Sequence, residues 1–529
     1  MKRLFTLVAL LIAGFSANLP AQMNIELTGH LSYSEDLSDI WGYEDQQGNE
    51  YALVGVYSGL SVVSLADPAF PQEIFFGSGA QSIWRDIKTW GDYAYVSNES
   101  YGGIYIVDLS PLPEGPIVTT GQFTGDQFPF QSAHNLYIDE TGKLYIFGAD
   151  NGSGGAIICD LTVDPMSPVE LGRFDVHYLH DGMARGDTLW GAAIYAGQLL
   201  AIDVSNPAQP NIMGSASTPG NFCHNAWVSG DGNYVFTTDE VSSGYIGAFD
   251  VTNLSSITEV DRVQTAPGSG VIPHNTHVLG DFVVTSYYTE GVTIHDVSKP
   301  DNIIEVGHYD TSPGYSGSGY HGSWGAYPFL SSGLILASDI EEGLYVLTPQ
   351  YLKAVHVSGT VTDSTTGDPL FGVSYEVVDA GISGQTLFDG TFTFGTLTTG
   401  TFDIVFTHEG YDPYTVHNLD FTNGAIIDLD IKMQTPSITG IGFSEESSVR
   451  MAPNPFSETV RIFAENGAET DEVSVKVFNI TGTVIDEWSG SLSAAGLRLG
   501  SDWETGIYLI QVSDLTEGKS TIRRLVKQR

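Results

Sequence analysis

The sequence predicts an all-β chain: a seven-bladed β-propeller closed by its N-terminal strand, then a small β-sandwich, then a C-terminal β domain. Three observations predict it. Short apolar strands separated by turn residues recur at intervals of roughly 40–50 residues, the period of a propeller built from four-stranded blades. The 61 glycines, 26 tyrosines and 26 phenylalanines favour strands and tight turns over helices. With 42% hydrophobic and 16% charged residues, the 529-residue chain can bury several cores and is not a disordered acidic polymer.

The first segment is an address. Lys2 and Arg3 precede an apolar run from Leu4 to Phe15, and Leu19-Pro20-Ala21 leads into Gln22. This is the pattern of a secretory signal over residues 1–21, cleaved after Ala21. The run is too short to span a bilayer stably, and no later stretch reaches about 18 apolar residues. The mature chain is therefore expected to lack a transmembrane helix. With only two cysteines, Cys159 and Cys223, an exported chain of this size is not a disulfide scaffold; a single bridge between them would have to join different repeats.

The repeat follows over residues 22–351. Each unit has a short apolar strand, a Gly-containing turn, a second strand ending in Asp, and a Pro-bearing loop. Leu189 to Pro207 and Val283 to Pro300 are the clearest copies. The equivalent Asp or Ser positions are Ser64, Asp108, Asp160, Asp203, Asp250 and Asp296, with gaps of 44, 52, 43, 47 and 46 residues. The seventh copy follows at Leu347. One unit shows all four strands: His134 to Asp139, Leu144 to Gly148, Ala156 to Leu161, and Val169 to Phe174. The last unit has only three. Asn24 to His30 reads like the missing fourth strand, by likeness to Asn302 to His308. An N-terminal strand in that place would tie the ring shut and remove an exposed edge.

Trp84-Arg85-Asp86, Ser132-Ala-His-Asn135 and Ser338-Asp-Ile-Glu-Glu-Gly-Leu344 carry a resemblance over about residues 24–350. In them the chain resembles the LVIVD-repeat proteins, and especially the "choice-of-anchor B" family of exported bacterial propellers. That resemblance implies a propeller with variable surface anchors and no assigned chemistry. After Tyr351 the composition shifts. Val357 to Leu370, Asp389 to Phe394, Gly400 to Ile404 and Gly410-Tyr411 resemble carboxypeptidase-regulatory-like domains, which implies a sandwich over 352–433 acting as a spacer or binding module. Residues 434–448 read as a linker. From Met451 the chain runs Met-Ala-Pro-Asn-Pro-Phe, then alternating strands such as Val473 to Ile480 and Gly506 to Val512, then Arg523, Arg524, Lys527 and Arg529. Residues 449–529 resemble the C-terminal sorting domain of the type IX secretion system of Bacteroidetes. This implies the secretion machinery as a partner, export across the outer membrane, and removal of the domain from a surface or secreted product.

Charge narrows the partners. With 20 basic and 64 acidic side chains the formal charge is −44. The signal segment contributes +2 and residues 449–529 hold 11 acids and 9 bases, so residues 22–448 alone carry −44. Such a body repels nucleic acid and anionic membrane surfaces and suits cations.

One constellation stands out. The residue opening the first strand of a unit recurs as His134, His180, His224, His274 and His321, each followed by Asn135, Asp181, Asn225, Asn275 or Gly322. Arg85-Asp86 takes that place in the second unit and the Asp39 region in the first. First strands lie nearest a propeller axis, so these side chains are expected to gather at one mouth of the channel. Neutral imidazole suits Zn, Cu, Fe or Mn, and Trp84, Trp227 and Trp324 are placed to wall a pocket. A structural reading stands beside this one: a copied His can simply hydrogen-bond its own blade, with the Asn or Asp as turn chemistry. Asp231-Gly-Asn233 and Asp150 to Gly155 could each hold Ca²⁺, but neither follows the twelve-residue loop, and both read first as turns. No nucleophile elbow, phosphate loop or paired metalloprotease histidines occur. Two functions remain from the residues alone: an exported binding protein that presents the mouth to a protein, glycan or small ligand, or a metal-dependent enzyme on the histidine ring.

Overall fold

The computed structural model describes residues 22–436, 449–464, 470–493, 495–515 and 520–529. The predicted signal segment and most of the predicted linker lie outside the described residues. Two compact units divide the chain. One takes residues up to 360 with 376–404 and 415–430; the other takes 361–375, 405–414 and the residues from 431 onward.

The repeats form seven antiparallel sheets, six of four strands and one of five. Their first strands are Leu37–Glu44, Ile87–Trp90, Asn135–Ile138, Asp181–Arg185, Cys223–Val228, Pro273–Leu279 and Ser323–Tyr327. Each first strand packs against that of the next sheet, and the seventh packs against the first. The cores lie between successive sheets. Tyr43 and Leu53 meet Ile87 and Val96; Tyr95 and Ile106 meet Leu136 and Ile146; Tyr145 and Phe147 meet Leu189 and Leu200. Val284 and Ile294 meet Ile335 and Ala337, and Leu336 and Leu344 meet Leu37 and Val54. Strands buried on both faces explain why the sequence shows short apolar runs instead of clean alternation.

The recurring Asp has a local task. Asp108, Asp160, Asp203, Asp250 and Asp296 each end a third strand, and each Oδ1 accepts the backbone N–H two residues on, at 2.8–2.9 Å. Ser64 accepts Ala66 N–H in the same way at 3.3 Å. This Asx turn starts the loop to the fourth strand.

The seventh sheet contains Ser323–Tyr327, Ile335–Asp339 and Gly343–Pro349 from its own repeat, and Ile25–Leu31 pairs with Gly343–Pro349 at its edge. Just before that strand, Gln22–Met23 adds a fifth strand to the sixth sheet, opposite His308 and Tyr309. Asn24 takes a φ of 54° between the two and donates its Nδ2 to Val306 O at 2.8 Å. One short segment thus touches two sheets through a left-handed step that Asn tolerates well.

Residues 355–433 form a three-stranded and a four-stranded sheet, and residues 449–527 form another such pair. In the latter, Gly506–Asp514 lies between Thr470–Phe478 and Ser520–Lys527. Both cysteines are free and buried. No helix of the described residues is long and apolar enough to cross a membrane.

Candidate ligand-binding site

Strand pairing decides which residues of the repeats are equivalent. Cys223 pairs with Asp239 and Asn225 with Thr238; Ser323 pairs with Asp339 and Gly325 with Ser338. His224 therefore corresponds to Trp324, and Asn225 to Gly325. The register shifts at both places, and likewise between Leu37 and Ile40 and between Pro273 and Thr276. A bulge sets two residues of one strand opposite one of its partner, so two successive side chains can turn to the same side. That is how His224 and Asn225, or His274 and Asn275, both reach the axis.

The outer tier is a row of imidazoles. Ring centroids of His134 and His180 are 3.9 Å apart, those of His180 and His224 4.3 Å, and those of His224 and His274 4.4 Å. Trp324 continues the row at 5.0 Å from His274. Trp84, Arg85, Asp86, His134, Asn135, His224, His274, Asn275 and Trp324 line one tight cleft, no roomier than a water or a bare ion requires. His321 does not join them. It lies three residues before the equivalent position, stacks on Tyr315 at 4.3 Å, and pairs with Glu341 through Nδ1 at 2.6 Å, half exposed. The expectation that a fifth histidine completes the ring is thus corrected: the loop before the last first strand is longer, and Trp324 holds that position. Arg85 occupies the second sheet's position but turns its guanidinium to backbone carbonyls, with Nε on Val56 O at 2.8 Å and Nη2 on Tyr57 O at 3.2 Å and on Ala80 O. Burial lowers its pKa to about 10.

Hydroxyls lock this tier to the neighbouring sheets. Ser97 donates to His134 O at 2.8 Å, Ser286 to Trp324 O at 2.8 Å, and Thr238 to His274 O. His134 Nδ1 meets Glu99 Oε1 at 2.5 Å, and His274 Nδ1 meets Trp324 O at 2.5 Å. The His180 and His224 rings face the backbone of the next histidine along, and their buried Nδ1 atoms lack a well-aligned partner. Burial, then neighbouring imidazoles, holds His180 and His224 well below the usual histidine pKa; burial above all brings His274 to about 3. These three rings are neutral at neutral pH.

The middle tier is polar and charged. Asp39, Asp86, Asn135, Asp181, Asn225 and Asn275 are all buried. Asn225 Nδ2 donates to Asp181 Oδ2 at 2.7 Å, and Asn225 Oδ1 accepts Thr276 N–H at 3.2 Å. Lys88 lies 3.7 Å from Asp39 Oδ2 and bonds Asp86 Oδ1. Burial raises all three carboxyls, Asp39 well above its usual value and Asp181 to about 6, with Asp86 adding repulsion to both. Burial opposes the Lys88 charge, but Asp86 and Asp39 outweigh it and raise the ammonium pKa. Gly325 leaves the space that Asp39 fills, since a Cβ there would stand 2.5 Å from Asp39 Oδ1.

Below, aromatic rings plug the axis. Trp227 packs on His277 at 4.5 Å and stacks on Phe329 at 5.6 Å, Trp41 meets Tyr327 at 4.7 Å, and Lys88 Nζ lies 4.4 Å over the Trp41 ring. Trp227 is therefore part of the plug and does not wall the cleft, whereas Trp84 and Trp324 do. Cys223 points into the core between sheets and away from its neighbour His224.

Glu99, Glu240, Tyr288 and Lys88 were not singled out by the sequence. Glu240 Oε2 stands 3.6 Å from His224 Nε2, and its Oε1 accepts Tyr288 Oη–H at 2.6 Å. A signal exists: Ser97-Asn98-Glu99 and Thr238-Asp239-Glu240 leave the second strands of their repeats alike. Of the two acidic loops, the first makes a local turn bond and the second holds a distant backbone segment. Asp231 accepts Asn233 N–H at 3.0 Å and Asp150 accepts Gln131 N–H at 2.7 Å.

Three family models match separate stretches of the chain. Residues 83–112, 193–218 and 274–311 match the LVIVD repeat. Residues 356–434 match the carboxypeptidase regulatory-like domain, and residues 450–528 match the secretion system C-terminal sorting domain. The sorting domain marks this chain for export to the cell surface or the medium. No curated protein matches the chain. Among solved structures, the Myceliophteria thermophila Cps50 (Swd1) beta-propeller domain is similar, at 14% identity and a TM-score of 0.44, covering 62% of this chain and 100% of its own.

Proposed function

We propose that this chain is an exported binding protein whose β-propeller presents a ligand site at one mouth of its central channel. Residues 22–351 make a seven-bladed propeller in which the strand Ile25–Leu31 completes the last blade and closes the ring. Residues 352–433 form a sandwich that spaces the propeller from its anchor, and residues 449–529 direct type IX export and are then removed, in line with a Bacteroidetes protein of the choice-of-anchor B kind. The signal segment 1–21 is cleaved after Ala21.

One observation carries the binding reading: four imidazoles and Trp324 form an unbroken row, and three of those imidazoles line the cleft together with Trp324 and with Trp84, which is 41% exposed. Rigid aromatic rings held by intersheet hydrogen bonds bind with little ordering cost. The enzyme reading has no observation that favours it over binding. The test is an array of soluble polysaccharide fragments and peptides probed with the full chain and with Trp84→Ala/Trp324→Ala. Probes retained by the full chain and lost by the double variant support the mouth; probes retained equally by both place the site elsewhere.

A further inference from the structure

The row of imidazoles contains a set of ligand atoms that hydrogen bonding does not account for. His180, His224 and Glu240 each bring one donor atom to within 4.8 Å of the others. We propose that these three side chains form a binding site for a first-row divalent transition ion, such as Zn²⁺, at the channel mouth. The proposal rests on the reading of the mouth as the binding face and names one ligand for it.

The chemistry of the donors fits. Two imidazole nitrogens and one carboxylate oxygen make a common protein set for such ions and leave coordination positions open. With bonds of 2.0–2.2 Å, donors around a tetrahedral ion lie about 3.3–3.5 Å apart; His224 Nε2 and Glu240 Oε2 are already at 3.6 Å. That spacing is too long for a good hydrogen bond. His224 is 2% exposed, yet its Nδ1 lacks a well-aligned hydrogen-bond partner. An ion on Nε2 would make that N–H a stronger donor toward the His274 backbone it faces. Tyr288 holds the other Glu240 oxygen, which orients the carboxylate as an outer-shell partner does. Just inside, Asp39, Asp86 and Asp181 face Lys88, and that excess of acid favours a cation nearby.

The test uses the untagged full chain, stripped with a chelator and titrated with Zn²⁺ against a chromophoric competitor at neutral pH. The expected result is one Zn²⁺ per chain. Glu240→Gln and His224→Ala should each weaken it at least tenfold, and His321→Ala should leave it unchanged. Co²⁺ in place of Zn²⁺ should show visible absorption that Glu240→Gln alters. A chain that takes up no stoichiometric Zn²⁺, or one whose affinity is the same in both variants, overturns the site. If His224→Ala fails to fold by circular dichroism, the near-isosteric Glu240→Gln decides alone. Array probes that still need Trp84 and Trp324 in a chain that binds no Zn²⁺ would remove the metal and leave the mouth standing.

Discussion

Lys88 stands in the middle tier against Asp39, Asp86 and Asp181, all buried. Removing one partner of a buried ionic group leaves uncompensated charge, at a cost of about 3–5 kcal/mol. Lys88→Met should therefore lower the denaturant midpoint sharply at pH 7. The deficit should shrink toward pH 5, because the carboxyls are raised in the folded state, Asp181 to about 6, and protonate there. His277 works in the other direction. Burial brings its pKa to about 3, below the ordinary 6.5, so folding favours its neutral form. That contribution is complete above pH 6.5 and is lost as the pH falls toward 3. At pH 5 the imidazole alone removes about 2 kcal/mol. His277→Leu should thus lose less melting temperature between pH 7 and pH 5 than the parent; an equal loss would show that the ring is not held neutral. The candidate site was partly legible at this scale. His134, His180, His224 and His274 announce themselves by their spacing. Glu240 does not, because it leaves a second strand and meets His224 only when the two strands pair.

At the scale of the element, the bulges and the N-terminal strand matter most. A one-residue register shift at the start of a first strand turns two side chains to the axis, and this is how a two-residue motif becomes two stacked tiers. Sequence spacing marks where the motif recurs but not where the shift falls, so spacing alone points to His321 in the last repeat instead of Trp324. The strand Ile25–Leu31 was legible as a fourth strand by likeness to its counterpart near Asn302. Its continuation backward onto the sixth sheet was not, since two residues carry no periodicity. Deleting residues 22–31 would leave Gly343–Pro349 as an open edge. The expected outcome is a lower melting temperature and concentration-dependent oligomers in size-exclusion chromatography, because an unpaired edge recruits other chains. An unchanged monomer would show that the strand contributes little to closure.

For the whole molecule, the chain divides its labour between an acidic body and a sorting end. Residues 22–448 carry the entire −44 charge, while residues 450–528 match the sorting domain. Deleting residues 450–529 should hold the protein inside the cell, and peptide mapping of the exported product should find neither residues 1–21 nor residues 449–529. Recovery of C-terminal peptides such as those from Gly506 to Val512 in the mature product would show that the domain is retained.

The sequence by itself determined the all-β class, the repeat, the C-terminal sorting domain and four of the histidines, because each is written in local composition or in a period along the chain. Only the tertiary structure decided that Trp324 and not His321 closes the row, that Trp227 plugs the axis, and that Glu240 meets His180 and His224. These depend on bulges and on the pairing of strands far apart in the chain, and a shift of one residue there changes which side chain faces the axis.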